Sequence, residues 1–294
     1  MILAMLRGGL SNQMFQYAAA RRLAHHHATE LLLDVSWYDD IPPEATPRRF
    51  ELDAFAISAR RAAPDDLIGT KGVRNTPWFQ LPRALWRKVR PRFRFVAERQ
   101  LRFDPQVLAL PDGVALFGYW VSEKYFQDVE PLIRAEFTVR QPPEGENARL
   151  IARMRGTAAV SLHVRRGDYV ARPSVNAIHG TCTPEYYAAA IAHITARVRE
   201  PRFFVFSDDL DWVRANLPIP HPVEYVAHNR DAKSYEDVRL MSECRHHVIA
   251  NSGFSWWGAW LNPRPDKIVC APRRWFADPT YDSADVLPAS WIAL

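Results

Sequence analysis

Short apolar runs alternate with longer segments of mixed polarity along most of the 294-residue chain. Runs such as Ile2–Leu6 and Ala158–Val164 have the length of buried strands. The segments that follow them have the apolar spacing expected of helices packed against a sheet. Repeated strand–helix units are typical of parallel sheets, so the pattern predicts an α/β fold.

The first half of the chain is only partly patterned. The predicted elements are strands at Ile2–Leu6 and Leu31–Val35, a turn at residues 7–11, and a helix from Asn12 to about Ala28 capped by Ser11 or Asn12. From Pro42 to Pro111, prolines and arginines interrupt every periodicity, and no element is assigned there.

The second half is more regular. Strands are predicted at Ala158–Val164, Phe203–Phe206, Val223–Ala227, Val248–Ala250 and Ile268–Ala271, of which the last closes the sheet. Helices are predicted from Thr183 onward and at Asp208–Leu217, Ser234–Cys244 and Ser252–Leu261. This alternation predicts a Rossmann-like nucleotide-binding domain. The proline-rich stretch 141–147 predicts a linker, and we place the two domains at residues 1–150 and 151–294.

Composition narrows the class of protein. Hydrophobic residues make up 48% and charged residues 24%, which is the balance of a folded globular chain. The sequence contains no apolar run of membrane-spanning length and opens without a basic leader, so we expect neither a secreted nor a membrane-spanning protein. Three widely spaced cysteines without a C-x-x-C pair favour a reducing cytoplasm.

A formal charge of +5 favours an anionic partner but does not identify it. Much of the excess lies between Arg83 and Arg102, where basic and aromatic residues interleave. The segment fits a solvated surface with arginines whose apolar stems lie along it. It also fits peripheral contact with the inner face of a membrane, or single-stranded nucleic acid, for which the rest of the chain gives no support.

The strongest candidate for chemistry follows the strand at Ala158–Val164. Ligands of open parallel sheets bind at the carboxyl ends of strands, and two adjacent arginines, Arg165 and Arg166, lie there. A guanidinium pairs two phosphate oxygens at once, so the pair is suited to a diphosphate. Alternation places His163 on the same face as Arg165. The alternatives are a surface ion pair of Arg166 with Asp168 and a buried histidine without a ligand.

These residues belong to a set of motifs that resembles glycosyltransferase family 11, the α-1,2-fucosyltransferases. The motifs are His163–Tyr169, Gly8–Ala18, Gly118–Phe126, Phe206–Asp209 and the run from Leu240 through His246 to Asn251–Leu261. They occur in order along nearly the whole chain. Ser11 and Gly253 depart from the family pattern, which has glycine and serine at these positions.

The resemblance implies a GT-B-like architecture, with two Rossmann-like domains facing a central cleft and GDP-fucose bound mainly by the second. It implies His163 and Asp237 on the guanine and Arg165 on the diphosphate. Asp237 also fits a capping box with Ser234. Unpaired N–H groups where a helix begins can bind the β-phosphate, which indicates Ser252, Gly253, Phe254 and Ser255. Asn12 and Gln13 are the acceptor-side candidates.

The reaction implied is transfer of L-fucose from GDP-β-L-fucose to a galactose-containing glycan, with inversion at the anomeric carbon. We expect Arg165, supported by Arg166, to stabilise the leaving GDP, and Asp168 to be a base or an ion-pair partner. With arginines in this role no cofactor or metal is needed. Asp209-Leu210-Asp211 spells a metal-binding D-x-D, but it begins a helix, where acids are common as caps.

Two other functions fit part of the sequence. A different GT-B enzyme, using GDP-mannose or forming another fucosyl linkage, would keep the nucleotide pocket and change the sugar contacts. A non-catalytic nucleic-acid-binding protein would explain the charge but leaves the ordered motifs unexplained.

Overall fold

The computed structural model describes residues 1–43, 45–67, 92–229 and 233–294. The chain forms two compact units, Met1–Thr138 and Val139–Leu294. The domain limits predicted from the sequence, 1–150 and 151–294, fall within a helix, Gly145–Arg155, that belongs to the second unit. Leu150 and Met154 of this helix pack into a core with Phe204 and Leu240, which is why the helix lies with the second sheet.

The first unit is built on a parallel sheet of five strands. These are β1 (Ile2–Met5), β2 (Leu31–Asp34), β3 (Arg60–Arg61), β4 (Arg94–Ala97) and β5 (Val114–Phe117). Their order is β3-β2-β1-β5-β4, and every pair is parallel. The chain moves from β1 outward through β2 to β3, and then places β5 on the other side of β1. The topology therefore reverses between β1 and β5.

Helix α1 (Leu10–His26) follows β1 and begins two residues before the predicted start at Asn12. Its N-cap is Gly9, without a side-chain cap, so the predicted capping by Ser11 or Asn12 is wrong. Both residues already lie in the first helical turn, where a side chain cannot take the cap position. Helix α2 (Glu130–Glu136) ends the unit, and Glu136 joins it to α1 through Tyr17 and Arg21.

The second unit has a parallel sheet of six strands. They are β6 (Ala158–Val164), β7 (Pro201–Ser207), β8 (Val223–Val226), β9 (His246–Val248), β10 (Val269–Ala271) and β11 (Ile292–Ala293), in the order β11-β10-β9-β6-β7-β8. The observed β9 lies two residues before its prediction. The predicted last strand does not close the sheet, because β11 pairs with it in parallel. The topology reverses between β6 and β9.

Seven helices are described in the second unit: α3 (Gly145–Arg155), α4 (Gly167–Ala171), α5 (Pro173–His179), α6 (Pro184–Thr195), α7 (Leu210–Asn216), α8 (Ser234–Glu243) and α9 (Gly253–Leu261). Alternate residues of β6 enter two cores. Val160, Leu162 and Val164 pack with Tyr187 of α6, whereas Ala159 on the opposite face packs in the core of α3 and α8. Two Rossmann-like α/β domains are thus present, as predicted.

The basic segment Arg83–Arg102 lies partly outside the described residues, which resume at Arg92. In the described part, Arg92 pairs with Asp66, Phe93 is buried, and Arg94 begins β4 with an exposed side chain. Membrane contact by this segment stays a prediction. Among the described residues, no helix combines the length and the apolar character needed to cross a bilayer.

Candidate active site

The carboxyl edge of the second sheet gathers the candidate donor-binding residues. His163 is near the end of β6, Arg165 and Arg166 follow that strand, and Asp208 follows its neighbour β7. The loop after β9 leads into α9 at Gly253. Because β6 and β9 flank the reversal of topology, their loops diverge to opposite faces and leave a crevice, the position at which open α/β sheets bind ligands.

His163 connects β6 to the first turn of α9. Its side chain is only 5% exposed, its Nδ1 lies 2.9 Å from the Ser255 hydroxyl, and its ring centroid lies 5.8 Å from that of Phe254. The Ser255 hydroxyl also donates to the Ser252 carbonyl, at 3.3 Å. With that hydrogen used, the Nδ1–H of His163 donates to Ser255, and its Nε2 is left as an acceptor.

The charge state of His163 follows from its surroundings. Burial lowers the pKa of the imidazole to about 4, although the nearby Asp208 carboxylate acts in the opposite direction and Arg165 adds to the lowering. The imidazole is therefore neutral at neutral pH. A neutral ring with a free Nε2 can accept a hydrogen bond from an N–H group of a base.

Arg165 is held by two carboxylates, one in the first turn of α4 and one directly after β7. Its terminal nitrogens lie 2.5 Å from an oxygen of Asp168 and 2.8 Å from an oxygen of Asp208, and its guanidinium carbon lies 5.4 Å from the centre of the Tyr169 ring. The side chain is 24% exposed. Asp168 thus has the ion-pair position that the sequence left open as an alternative to a base, and its partner is Arg165.

Arg166 has different partners. Its Nε donates to Asp209 at 3.0 Å, and its guanidinium carbon lies 3.9 Å above the ring of Trp212. Its backbone N–H donates to Asp208 at 2.8 Å. Sequence reasoning considered Asp168 as the acid beside Arg166, whereas the structure provides Asp209. These contacts fix the Arg166 side chain against α7.

The acids of the D-x-D sequence have structural partners. Asp209 caps α7 by accepting the N–H of Trp212 at 3.2 Å and also pairs with Arg166. Asp211 lies 3.1 Å from Arg214. Within the described ranges, no cluster of three or more His, Cys, Asp or Glu side chains has the arrangement of a metal site.

The first turn of α9 has the form expected of an anion site. Ser252 is the N-cap, and its hydroxyl accepts the N–H of Phe254 at 3.4 Å. The N–H of Trp256 makes the first helical bond, to the Ser252 carbonyl at 3.1 Å. The N–H groups of Gly253 and Ser255 precede that bond and are suited to a phosphate. Trp257 and Trp260 are buried and pack in the core.

Asp237 lies on α8 and is half-buried. The N-cap of α8 is Lys233 without a side-chain cap, so the predicted capping box with Ser234 does not begin this helix, because Ser234 already lies in its first turn. One Asp237 oxygen accepts from Asn229 at 2.8 Å. The pKa of Asp237 is raised to about 7, mainly by burial. The hydrogen bond from Asn229 lowers the pKa, and the charge of Glu236 raises it further.

Asn229 belongs to a side-chain network that sequence reasoning did not identify. It exchanges two hydrogen bonds with Asn147 of α3, at 2.9 and 3.0 Å, and the same Asn147 oxygen lies 2.7 Å from His228. The position of Asn229 after β8, at the same sheet edge as Arg165, was the available signal. Asp208 carried a similar signal, since it follows the strand next to β6.

The acceptor-side candidates lie in the first unit. Gln13 is fully buried, and its amide donates to the carbonyls of Gly8 and Arg49 and accepts the N–H of Glu51. This side chain therefore fixes the loop after β1 and has no amide group left for a sugar. Asn12 is half-buried, with its amide against Gly8, whose φ is +78°.

Comparison with known proteins supports one family. Residues 105–294 match the family described as glycosyl transferase family 11. The O-antigen biosynthesis glycosyltransferase WbnK of Escherichia coli is 33% identical, over 98% of this chain and 99% of that protein. An α-1,2-colitosyltransferase of E. coli is 31% identical, over 100% and 98% of the two chains.

The fold also has a solved counterpart. A mutant of Arabidopsis thaliana FUT1, determined in complex with GDP, superposes with a TM-score of 0.53 at 11% identity, over 99% of this chain and 75% of that one. At this identity the likeness concerns the fold alone.

Proposed function

The chain belongs to glycosyl transferase family 11 and is a glycosyltransferase, and from this we propose that it transfers L-fucose from GDP-β-L-fucose to the 2-hydroxyl of a galactose in a glycan. The proposed product is α-linked. The observation that carries the donor assignment is the crevice between β6 and β9, where His163, Arg165 and the first turn of α9 meet at one sheet edge.

Each donor-side residue has a proposed role that its geometry supports. The Nε2 of His163 accepts an N–H of guanine, and the Asp237 carboxylate accepts the two adjacent N–H groups on the pairing edge of the base. The N–H groups of Gly253 and Ser255 bind the β-phosphate, assisted by the helix dipole. Ser252 and Phe254 shape this turn, the first as its cap and the second as a ring beside His163.

Arg165 is proposed to stabilise the leaving group. In the reaction the bond from the anomeric carbon to the β-phosphate oxygen breaks as the acceptor oxygen forms its bond from the opposite face, which inverts the configuration. The hydroxyl proton leaves to a base, and the GDP oxygen gains negative charge. A guanidinium shared by Asp168 and Asp208 can turn one N–H edge to that oxygen while the other stays paired.

No metal is required by this arrangement. Arg165 and the amino-terminal end of α9 are proposed to neutralise the negative charge of the leaving diphosphate in place of a metal cation. Arg166 keeps Asp208 and Asp209 in position beside them. Asn12 is the acceptor-side residue of this site, since the amide of Gln13 is used within the loop.

A second donor is favoured by one comparison. The α-1,2-colitosyltransferase of E. coli matches this chain over its whole length, so the GDP derivative of colitose, a fucose-like sugar, is the alternative donor. The two donors share the nucleotide and the diphosphate, and the donor-side roles proposed above concern only these two groups. The choice between the two donors therefore depends on contacts that the protein makes with the sugar.

The experiment is a donor panel with structural analysis of the product. Purified protein is incubated with a galactose-terminated oligosaccharide and, separately, GDP-fucose, GDP-colitose and GDP-mannose. We expect turnover with GDP-fucose and an NMR spectrum with an α-anomeric fucose attached at C2 of galactose. Transfer from GDP-colitose with none from GDP-fucose would establish the alternative, and transfer from GDP-mannose alone would overturn the proposal.

A further inference from the structure

A second group of candidate binding residues lies in the first unit, at the carboxyl edge of its sheet. Strands β1 and β5 are parallel neighbours, so the residues that follow them lie at the same edge. Arg7 follows β1, whereas Phe117 ends β5 and Tyr119 follows it. Ligands of open α/β sheets bind at the carboxyl ends of strands, so the residues that follow β1 and β5 are candidates for a ligand site.

Arg7 is held between two aromatic rings at this point. Its guanidinium carbon lies 4.4 Å from the ring centre of Phe117 and 4.4 Å from that of Tyr119. Contacts of this kind stabilise the cation and fix the plane of the guanidinium group, whose N–H donors form a fork. The Nε of Arg7 is buried without a hydrogen-bond partner, and no carboxylate forms an ion pair with Arg7 in the part of the chain that the structure describes.

The backbone around Arg7 is fixed as well. Gln16 of α1 accepts the N–H of Arg7 at 3.0 Å and donates to the carbonyl of Gly118 at 3.1 Å, so one side chain ties the loops after β1 and β5 together. Gly118 has no room for a side chain, because an added Cβ would lie 2.4 Å from the Cβ of Glu98. The two rings therefore have little freedom to leave the guanidinium.

Glu98, which follows β4, is the acid whose position bears on this charge. Its carboxylate accepts the N–H of Tyr119 at 2.6 Å and that of Trp120 at 2.9 Å. Burial raises the pKa of Glu98, an effect that these two bonds and the charge of Arg7 oppose. Both Glu98 oxygens accept hydrogen bonds from the chain after β5. Glu98 therefore fixes this segment and leaves the guanidinium of Arg7 available to another anion.

Two more aromatic residues follow a neighbouring strand. Trp37 and Tyr38 follow β2 at the same sheet edge, both half-buried, and the Tyr38 hydroxyl donates to the carbonyl of Gly8 at 3.0 Å. Aromatic walls with a few oriented polar groups are typical of small-molecule sites. A fixed fork among such rings is suited to a planar carboxylate bound through two parallel hydrogen bonds.

We propose that Arg7 binds a carboxylate of the acceptor glycan and makes this enzyme selective for galactosides joined to an acidic sugar. The inference rests on the proposed function, since it assigns the substrate class of the same reaction. Asn12 lies in the first turn of α1, five residues after Arg7, and its amide lies against Gly8, which directly follows Arg7 in the chain.

The test compares matched acceptors and matched variants. The acceptors are a neutral galactosyl disaccharide and the same galactoside linked to a hexuronic acid. The variants are Arg7→Gln, which keeps a planar polar group without charge, and the control Arg94→Gln, which removes one exposed positive charge at the amino end of β4 in the same unit. Arg7→Lys keeps the charge and loses the fork.

We expect wild type to favour the acidic acceptor at least tenfold in kcat/KM. Arg7→Gln should lose this preference through a higher KM for the acidic acceptor alone, while the KM for GDP-fucose and the rate with the neutral acceptor stay within twofold. Arg7→Lys should retain part of the preference and Arg94→Gln all of it. Equal use of both acceptors by wild type, or a preference that survives in Arg7→Gln, would overturn the inference.

Failure of the proposed function gives a different result. If GDP-fucose is not a donor, no acceptor is modified, and the carboxylate contact is then measured directly. Titration of each disaccharide into the protein without donor, followed by NMR, should show tighter binding of the acidic disaccharide to wild type and equal binding of both to Arg7→Gln. Absence of that difference would reject the Arg7 assignment whatever the donor is.

Discussion

The Nδ1 of His163 lies 2.9 Å from the hydroxyl oxygen of Ser255, and this bond joins the end of β6 to the first turn of α9. It fixes the imidazole in one orientation and one tautomer. The same contact therefore positions both the His163 ring, which is proposed to bind guanine, and the first turn of α9, which is proposed to bind phosphate.

Removing the hydroxyl with Ser255→Ala should weaken donor binding. Loss of one buried hydrogen bond costs about 1 kcal/mol, and the freed imidazole loses its tautomer preference, so we expect the KM for GDP-fucose to rise about fivefold to tenfold. The control is Ser242→Ala on α8, whose hydroxyl donates to the Arg239 carbonyl. Steady-state kinetics with varied donor measures both, and a comparable rise in the control would show a general structural effect.

Asp237 should make donor binding depend on pH. Its pKa is raised to about 7, mainly by burial, so in the free protein the carboxylate that is proposed to bind guanine is formed only as the pH rises through 7. His163, with a pKa near 4, stays neutral throughout. We expect the Kd for GDP to fall about tenfold between pH 6 and pH 8 in calorimetric titrations, with proton release on binding below pH 7.

The variant Asp237→Asn should bind GDP more weakly, with a Kd that does not change across this range. His228→Gln is the control, since His228 lies at the other end of the Asn147–Asn229 network. The same raised pKa has a consequence for stability. Because the folded protein disfavours the charged form, the free energy of unfolding without ligand should fall as the pH rises through 7 in wild type and not in Asp237→Asn.

Gly167→Ala should disturb the acid that pairs with Arg165. An added Cβ would lie 2.5 Å from an oxygen of Asp208, which must then move away from Arg165 and from the N–H of Arg166. We expect a loss of stability of about 1–3 kcal/mol and a marked fall in kcat. Gly156→Ala, where the nearest atom lies at 3.4 Å, should keep full activity. Melting curves and turnover of both variants decide, and normal turnover in Gly167→Ala would remove Asp208 from the site.

Removal of divalent metal should not slow the reaction. Asp209 is a helix cap and a partner of Arg166, and Asp211 pairs with Arg214, so neither is held toward a shared ion. Excess EDTA should leave the initial rate within twofold. Loss of activity that manganese restores, together with the same loss in Asp211→Asn, would instead assign this sequence to metal binding.

Much of the fold was predictable because burial imposes simple periods. The limits of β6 follow from its unbroken apolar run, and the start of α6 from Thr183 and Pro184, whose cap and fixed backbone are local properties. Strand β11 was missed because Ile292–Ala293 is too short to form a pattern and pairs only through its position beside β10.

The site was predictable in its backbone positions but not in its pairings. Motif and strand end together indicated His163, Arg165 and Ser255. The partners of Arg165 depend on which strands are neighbours, so Asp208, 43 positions away along the chain, could not be assigned from spacing. Burial of Gln13 has the same origin, since its partners Arg49 and Glu51 reach it through the tertiary fold.

The central claim is that Arg165 binds the diphosphate and does so most strongly as GDP leaves, and Arg165→Lys tests it most directly. Lysine keeps the charge between Asp168 and Asp208 but loses the planar fork, so stability should change by about 1 kcal/mol or less, a shift of a few degrees in Tm. The account predicts a fall in kcat on the order of a hundredfold, equivalent to about 3 kcal/mol of transition-state stabilisation. A near-normal kcat with a clearly lowered Tm would show that Arg165 only pairs with its two acids, and would contradict the account.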